Sequence, residues 1–149
     1  MSSSRMPNTH FDAAEFYSLA SWLHDTKPSS SSQALRRTII GRAYYAALIS
    51  ARDFLGQSTI GDKGHKAVVD ALAQKVSTQI SAALNALRMK RADADYRPEK
   101  VISPRDVEIS LRNALIVLRE VKPDSVSNLP YSIDYLDSSK FLNPTSPKI

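Results

Sequence analysis

Between its prolines and glycines this chain spaces apolar residues three and four positions apart, and no segment sustains an alternation of two. A repeat near 3.6 residues gathers apolar side chains on one face of an α-helix, and such a face is buried only against other helices. The expected fold is therefore all-α: a compact up-and-down helical bundle of about five helices. Glycine occurs only four times, so little interrupts them. With 149 residues, 42% of them hydrophobic, one domain can bury a continuous core without a metal or disulfide staple.

Capping residues set the expected boundaries. Thr9 and Asp12 have capping-box spacing and open a first helix that buries Phe16, Leu19, Ala20 and Leu23 before Pro28 closes the segment. The run Ser29 to Ser32 is a linker or cap. Gln33 to Leu55 contains no proline, carries Ile40, Ala43, Ala47, Leu48, Ala51 and Leu55 on one face, and stops at Gly56. A third helix begins near Gly64 with Val68, Val69 and Leu72 inward, and a fourth runs from about Val76 to Asp93 on the stripe Val76, Ile80, Leu84 and Leu87. Ser103, Pro104 and Asp106 start a fifth, which reaches Val121 on Val107, Leu111, Ala114, Leu115 and Leu118. Residues 1–121 thus read as the helical domain. Residues 122–149, rich in Ser, Pro, Asn and Asp, read as an extended tail whose Tyr131, Ile133, Tyr135 and Leu136 could dock on the helices.

The absence of cysteine excludes a disulfide framework and a thiolate metal site, and makes a reducing cytoplasm the expected setting. No stretch approaches the roughly 20 apolar residues of a membrane span. The formal charge of +5 and pI near 9.6 favour polyanionic partners such as RNA, DNA or nucleotides. His10, His24 and His65 lack metal-ligand spacing, and no P-loop, dinucleotide fingerprint or nucleophile elbow occurs, so no metal or other cofactor is expected. His65 reads as a surface or capping histidine, or as one facing a groove at the start of the third helix.

One residue breaks the apolar pattern. The stripe Ile80, Leu84, Leu87 continues to Arg91, which places a guanidinium where a core residue is expected. Such a charge needs a partner, and Asp95, Asp93 and Asp53 are the candidates. Either it pins the end of the fourth helix or it faces a ligand. The second helix adds a polar strip of Thr38, Arg42, Tyr45, Ile49 and Arg52, and arginine interleaved with tyrosine suits phosphates and bases. Tyr44 and Tyr45 also suit packing between helices. Arg88, Lys90, Arg91, Arg97 and Lys100 concentrate positive charge near the end of the fourth helix, and with Arg42 they could form an anion site.

Three blocks share their order and spacing with a known family: Gly41, Arg42, Ala43, Tyr44, Tyr45, Ala46, Ala47 with Ala51, Arg52, Asp53, Phe54, Leu55; then Gly64, His65, Lys66, Val68; then Leu87, Arg88, Arg91, Ala94, Asp95, Tyr96. From Gln33 to Val121 the chain resembles the prokaryotic HEPN domain. The resemblance implies a helical bundle that forms homodimers, often a toxin or phage-defence effector encoded beside a nucleotidyltransferase partner. It also implies an RNA or nucleotide ligand. Ribonucleases of that family carry an arginine and, four to six residues later, a histidine, and two copies meet across a dimer to cut RNA without metal. Here Arg91 is followed by Ala92, Asp93, Ala94, Asp95 and Tyr96, so the arginine is kept and the histidine is absent. Tyrosine, with a reference pKa of about 10, is a poor proton-transfer group near neutral pH. The expected site is an RNA- or nucleotide-binding one made by Arg42, Tyr45, Arg88, Arg91, Asp95 and Tyr96. Arg91 and Tyr96 would be the catalytic pair of a divergent ribonuclease. A non-catalytic scaffold is the remaining reading.

Overall fold

The Asp12 carboxylate accepts a hydrogen bond from the Ala14 amide at 3.0 Å, and α1 follows over Ala14–Thr26. The computed structural model describes residues 11–26, 32–57 and 61–127, and among them it contains six helices and no strand. Thr9, Pro28 and Ser29 to Ser31 lie outside the described residues. The inward face of α1 is Ala14, Tyr17, Ala20 and Ser21, with Ala13 buried just before it and Phe16 and Leu23 half-buried. Leu19, expected inside, is 43% exposed. It lies one residue from Ala20, about 100° around the helix, and Tyr17 takes the inward position instead.

Ser32 caps α2, Gln33–Leu55, by accepting from the Leu35 amide at 3.1 Å. Gly56 ends it in a left-handed conformation at φ 70°, which only glycine adopts without a Cβ penalty. This helix is buried on several sides: Ile39, Ile40, Ala43, Tyr44, Ala46, Ala47, Leu48 and Ala51 are all within the core. It packs against α1 and the three helices that follow it. Its four buried alanines keep those helix axes close.

The third helix, α3, spans Gly61–Lys75 and begins one turn before the expected Gly64, because an isolated glycine does not stop a helix. Val76 lies in the turn after it. Ser77 accepts from the amides of Gln79 and Ile80 and starts α4, Thr78–Tyr96, which extends three residues past the expected Asp93. A complete capping box between Ser103 and Asp106 opens α5, Pro104–Val121, as its sequence predicts. Where an extended tail was expected, Pro123–Ser127 forms a short α6 against α5, tied back by the Ser125 hydroxyl donating at 2.9 Å to Asp12, the residue that caps α1. The remainder of the tail, with Tyr131, Ile133, Tyr135 and Leu136, lies outside the described residues.

Ile40, Tyr44 and Leu48 of α2 meet Leu72 of α3, Leu84 and Leu87 of α4 and Leu111 and Leu118 of α5 in one core cluster. Each such aliphatic side chain contributes roughly 1.5–3 kcal/mol on burial. Among the described residues no helix is long and apolar enough to cross a membrane.

Candidate functional site

The last turn of α4 contains two carboxylates, Asp93 and Asp95, and no basic residue. Negative charge at a helix C-terminus opposes the helix dipole, so this arrangement requires compensation from elsewhere. Arg37, near the start of α2, supplies it. Its Nη1 donates to the carbonyls of Asp93, Ala94 and Arg97 at 3.2, 2.9 and 3.2 Å, and its Nη2 reaches those of Pro98, at 3.5 Å, and Lys100. Gln33 makes a reciprocal pair of bonds with the backbone of Ile102, and Arg36 donates to the same carbonyl at 2.9 Å. The start of α2 thereby fixes the end of α4 and the connection to α5.

Held in this way, α4 presents Arg91 to α2. The Arg91 side chain is only 14% exposed. Its Nε lies 2.8 Å from Asp95 Oδ2, as an ion pair without the alignment of a hydrogen bond. Its Nη2 donates to the hydroxyls of Tyr45 at 2.7 Å and Tyr96 at 3.2 Å. The guanidinium carbon sits 5.6, 5.1 and 5.1 Å from the ring centroids of Tyr44, Tyr45 and Tyr96, within cation–π range of all three. Burial works against the charge, but Tyr45, Asp95, Tyr96 and Tyr44 outweigh it and hold the pKa above the ordinary arginine value. The N–H groups of Nη1 make no hydrogen bond within the described residues.

Of the three candidate partners, then, the structure selects Asp95. Asp93 instead faces Arg97 and Lys100, at 3.8 and 3.6 Å, and Asp53 pairs with Arg52 at 2.8 Å. Arg42 joins the cluster through rings: its guanidinium carbon is 4.8 Å from the Phe16 centroid and 5.8 Å from that of Tyr45. Two arginines from different helices therefore share one tyrosine ring. Among the described residues Arg42 has no carboxylate partner.

The expected residues Arg42, Tyr45, Arg91, Asp95 and Tyr96 are thus brought together. Arg88 is not: its guanidinium is turned onto Asn85 Oδ1 at 3.0 and 3.2 Å. Lys90 pairs with Asp106 at 3.2 Å, away from the cluster. The separate positive charges of this segment are distributed among different partners by the helical rotation from one residue to the next.

His65 is the residue whose place the sequence did not reveal. Its ring is 5.9 Å from that of Tyr44 and 6.3 Å from that of Tyr45, and its Nδ1 shares a hydrogen bond with the Tyr44 hydroxyl at 3.0 Å. An imidazole thus stands one ring away from Arg91. Its position at the start of α3 and its place in the block Gly64, His65, Lys66, Val68 marked it in the sequence, but neither says which helix it meets. Among the described residues no group of His, Asp or Glu converges on a metal-binding geometry. A cavity of about 240 Å³ lies elsewhere, lined by Phe11, Asp12, Ser50, Asp53, Phe54 and Lys122 among others, and shares no residue with the cluster. No protein-family model, curated protein or solved structure matches the chain.

Proposed function

We propose that the cluster of Arg42, Tyr45, Arg91, Asp95 and Tyr96 binds RNA or a nucleotide, and that the chain acts as a HEPN-like homodimer in a toxin-antitoxin or phage-defence system. The observation that carries the binding reading is the state of Arg91. Asp95 and two tyrosine hydroxyls fix the guanidinium in one orientation, yet among the described residues Nη1 keeps its donors for a ligand. A preoriented donor loses little freedom on binding, which favours affinity. The exposed ring of Tyr96 beside it can stack a base. The family and cellular role rest on the sequence resemblance. Fluorescence anisotropy with a labelled RNA tests the site: Arg91→Lys should weaken binding by tenfold or more while the helical content stays unchanged. Unchanged affinity with a lowered melting temperature would make Arg91 a purely structural pin.

A second reading, a divergent metal-independent ribonuclease, is favoured by His65. It brings an imidazole into the cluster, a side chain that the stretch Arg91 to Tyr96 lacks. Incubation of the protein with labelled RNA under chelator separates the two. Cleavage lost in both Arg91→Ala and His65→Ala supports the enzyme, and intact RNA at excess protein supports binding alone.

A further inference from the structure

We infer that the cluster takes a single phosphodiester, an internal linkage of a single-stranded nucleic acid, in preference to the polyphosphate of a nucleoside triphosphate, with Arg42 as the phosphate anchor. This rests on the nucleic-acid or nucleotide reading above and narrows it.

The first argument is charge. The cluster holds two guanidiniums and one carboxylate. Asp95 faces Arg91 at 2.8 Å, which among the described residues leaves Arg42 as the cation of the group without a carboxylate. One net positive charge matches a phosphodiester, which carries one negative charge. A triphosphate carries several, and sites for it add a metal ion, a lysine or a glycine-rich loop of backbone donors. The donors of the nearby cations are turned to other groups: Lys90 to Asp106, Arg97 and Lys100 to Asp93, and Arg88 to Asn85. The carboxylate of Asp95, 34% exposed, further opposes excess negative charge beside Arg91.

The second argument is geometry. A guanidinium lying on aromatic rings keeps its planar edge of N–H donors for another partner, and that edge matches two oxygens of one phosphate. Arg42 is held in this way by Phe16 and Tyr45. Tyr45 links it directly to Arg91, whose Nη1 donors can reach the same phosphate or its neighbour. Tyr96 is 66% exposed and its hydroxyl is tied to Arg91, so its ring is held ready for the adjoining base.

The test uses the full chain and a 5′-fluorescein single-stranded RNA of twelve mixed nucleotides, read by anisotropy both with magnesium ion and with chelator. Unlabelled RNA should displace the probe, and ATP at a hundredfold higher concentration should not. Arg42→Ala and Arg42→Gln should each weaken RNA binding about tenfold or more. Each should also reduce the slope of log affinity against log salt by about 0.7, the loss of one phosphate contact on a single strand. The glutamine keeps a polar stem over Phe16, so equal losses in both variants exclude a packing defect. ATP displacing the probe, or Arg42 variants with unchanged affinity and salt slope, would overturn the inference while the binding reading survives. If neither RNA nor ATP binds, the binding reading itself fails.

Discussion

Nδ1 of His65 on α3 lies 3.0 Å from the hydroxyl of Tyr44 on α2, whose side chain is fully buried beneath Arg91. The direction of the bond follows the imidazole tautomer, and either direction joins two helices that the chain connects through residues 56–60. A double-mutant cycle on Tyr44→Phe and His65→Leu should yield a coupling of about 1 kcal/mol in urea unfolding. Additive single effects would mean that the pair contributes nothing beyond its packing.

Arg37 caps a helix end across a tertiary contact. Arg37→Ala should cost about 2 kcal/mol, because it removes several charge-assisted bonds to the α4 terminus together with their compensation of Asp93 and Asp95. For a domain of this size that corresponds to a drop of roughly 4–8 °C in Tm. Amide exchange should accelerate at residues 93–97 more than in α5. Uniform acceleration would show global destabilisation without a local clamp.

Asp95 and Arg91 should respond unequally to neutral replacement. Asp95→Asn should cost no more than about 1 kcal/mol, since the carboxylate is a third exposed and solvent screens it. Arg91→Met should cost more, roughly 2 kcal/mol, because it removes the cation from three rings, leaves Asp95 without its counter-ion and leaves two hydroxyls without their donor. Thermal melts of the two variants side by side decide the order. Asp95→Asn should also tighten binding of an anionic ligand.

Acid should weaken the bundle through its caps. Burial raises the pKa of Asp106, but the Ser103 amide, Lys90 and the Ser103 hydroxyl outweigh it and hold the carboxyl below its ordinary value. Asp12 is lowered likewise: burial opposes the shift, and bonds from Ala14 and Ser125 with the charge of Lys122 prevail. A folded pKa below the unfolded one adds stability that is complete above the unfolded value near 3.9 and is lost as pH falls through the folded value. Asp106→Asn should therefore flatten the dependence of Tm on pH below about 4, and an unchanged profile would exclude this linkage.

Much of the site was legible before the fold. Arg91 stood out because it follows Ile80, Leu84 and Leu87 on one stripe, and Arg42 with Tyr45 because arginine and tyrosine share a strip of α2. These are relations within single helices, where a spacing of three or four residues fixes direction. Leu19 shows the limit of that logic. Apolar residues occupy two overlapping faces of α1, and only contact with α2 and α5 decides that Tyr17 turns inward.

The sequence by itself determined five of the helices, the cap at Ser103 with Asp106, the stop at Gly56, and the misplaced charge at Arg91, all set by neighbours a few residues apart. Only the tertiary structure decided that Arg91 pairs with Asp95 while Asp93 turns to Arg97 and Lys100. It also decided that Arg37 caps a helix some sixty residues away and that His65 reaches Tyr44. Those contacts depend on the rotation and axial offset of one helix against another. A change of one residue in register turns a side chain by about 100°, and only the packed core selects the register.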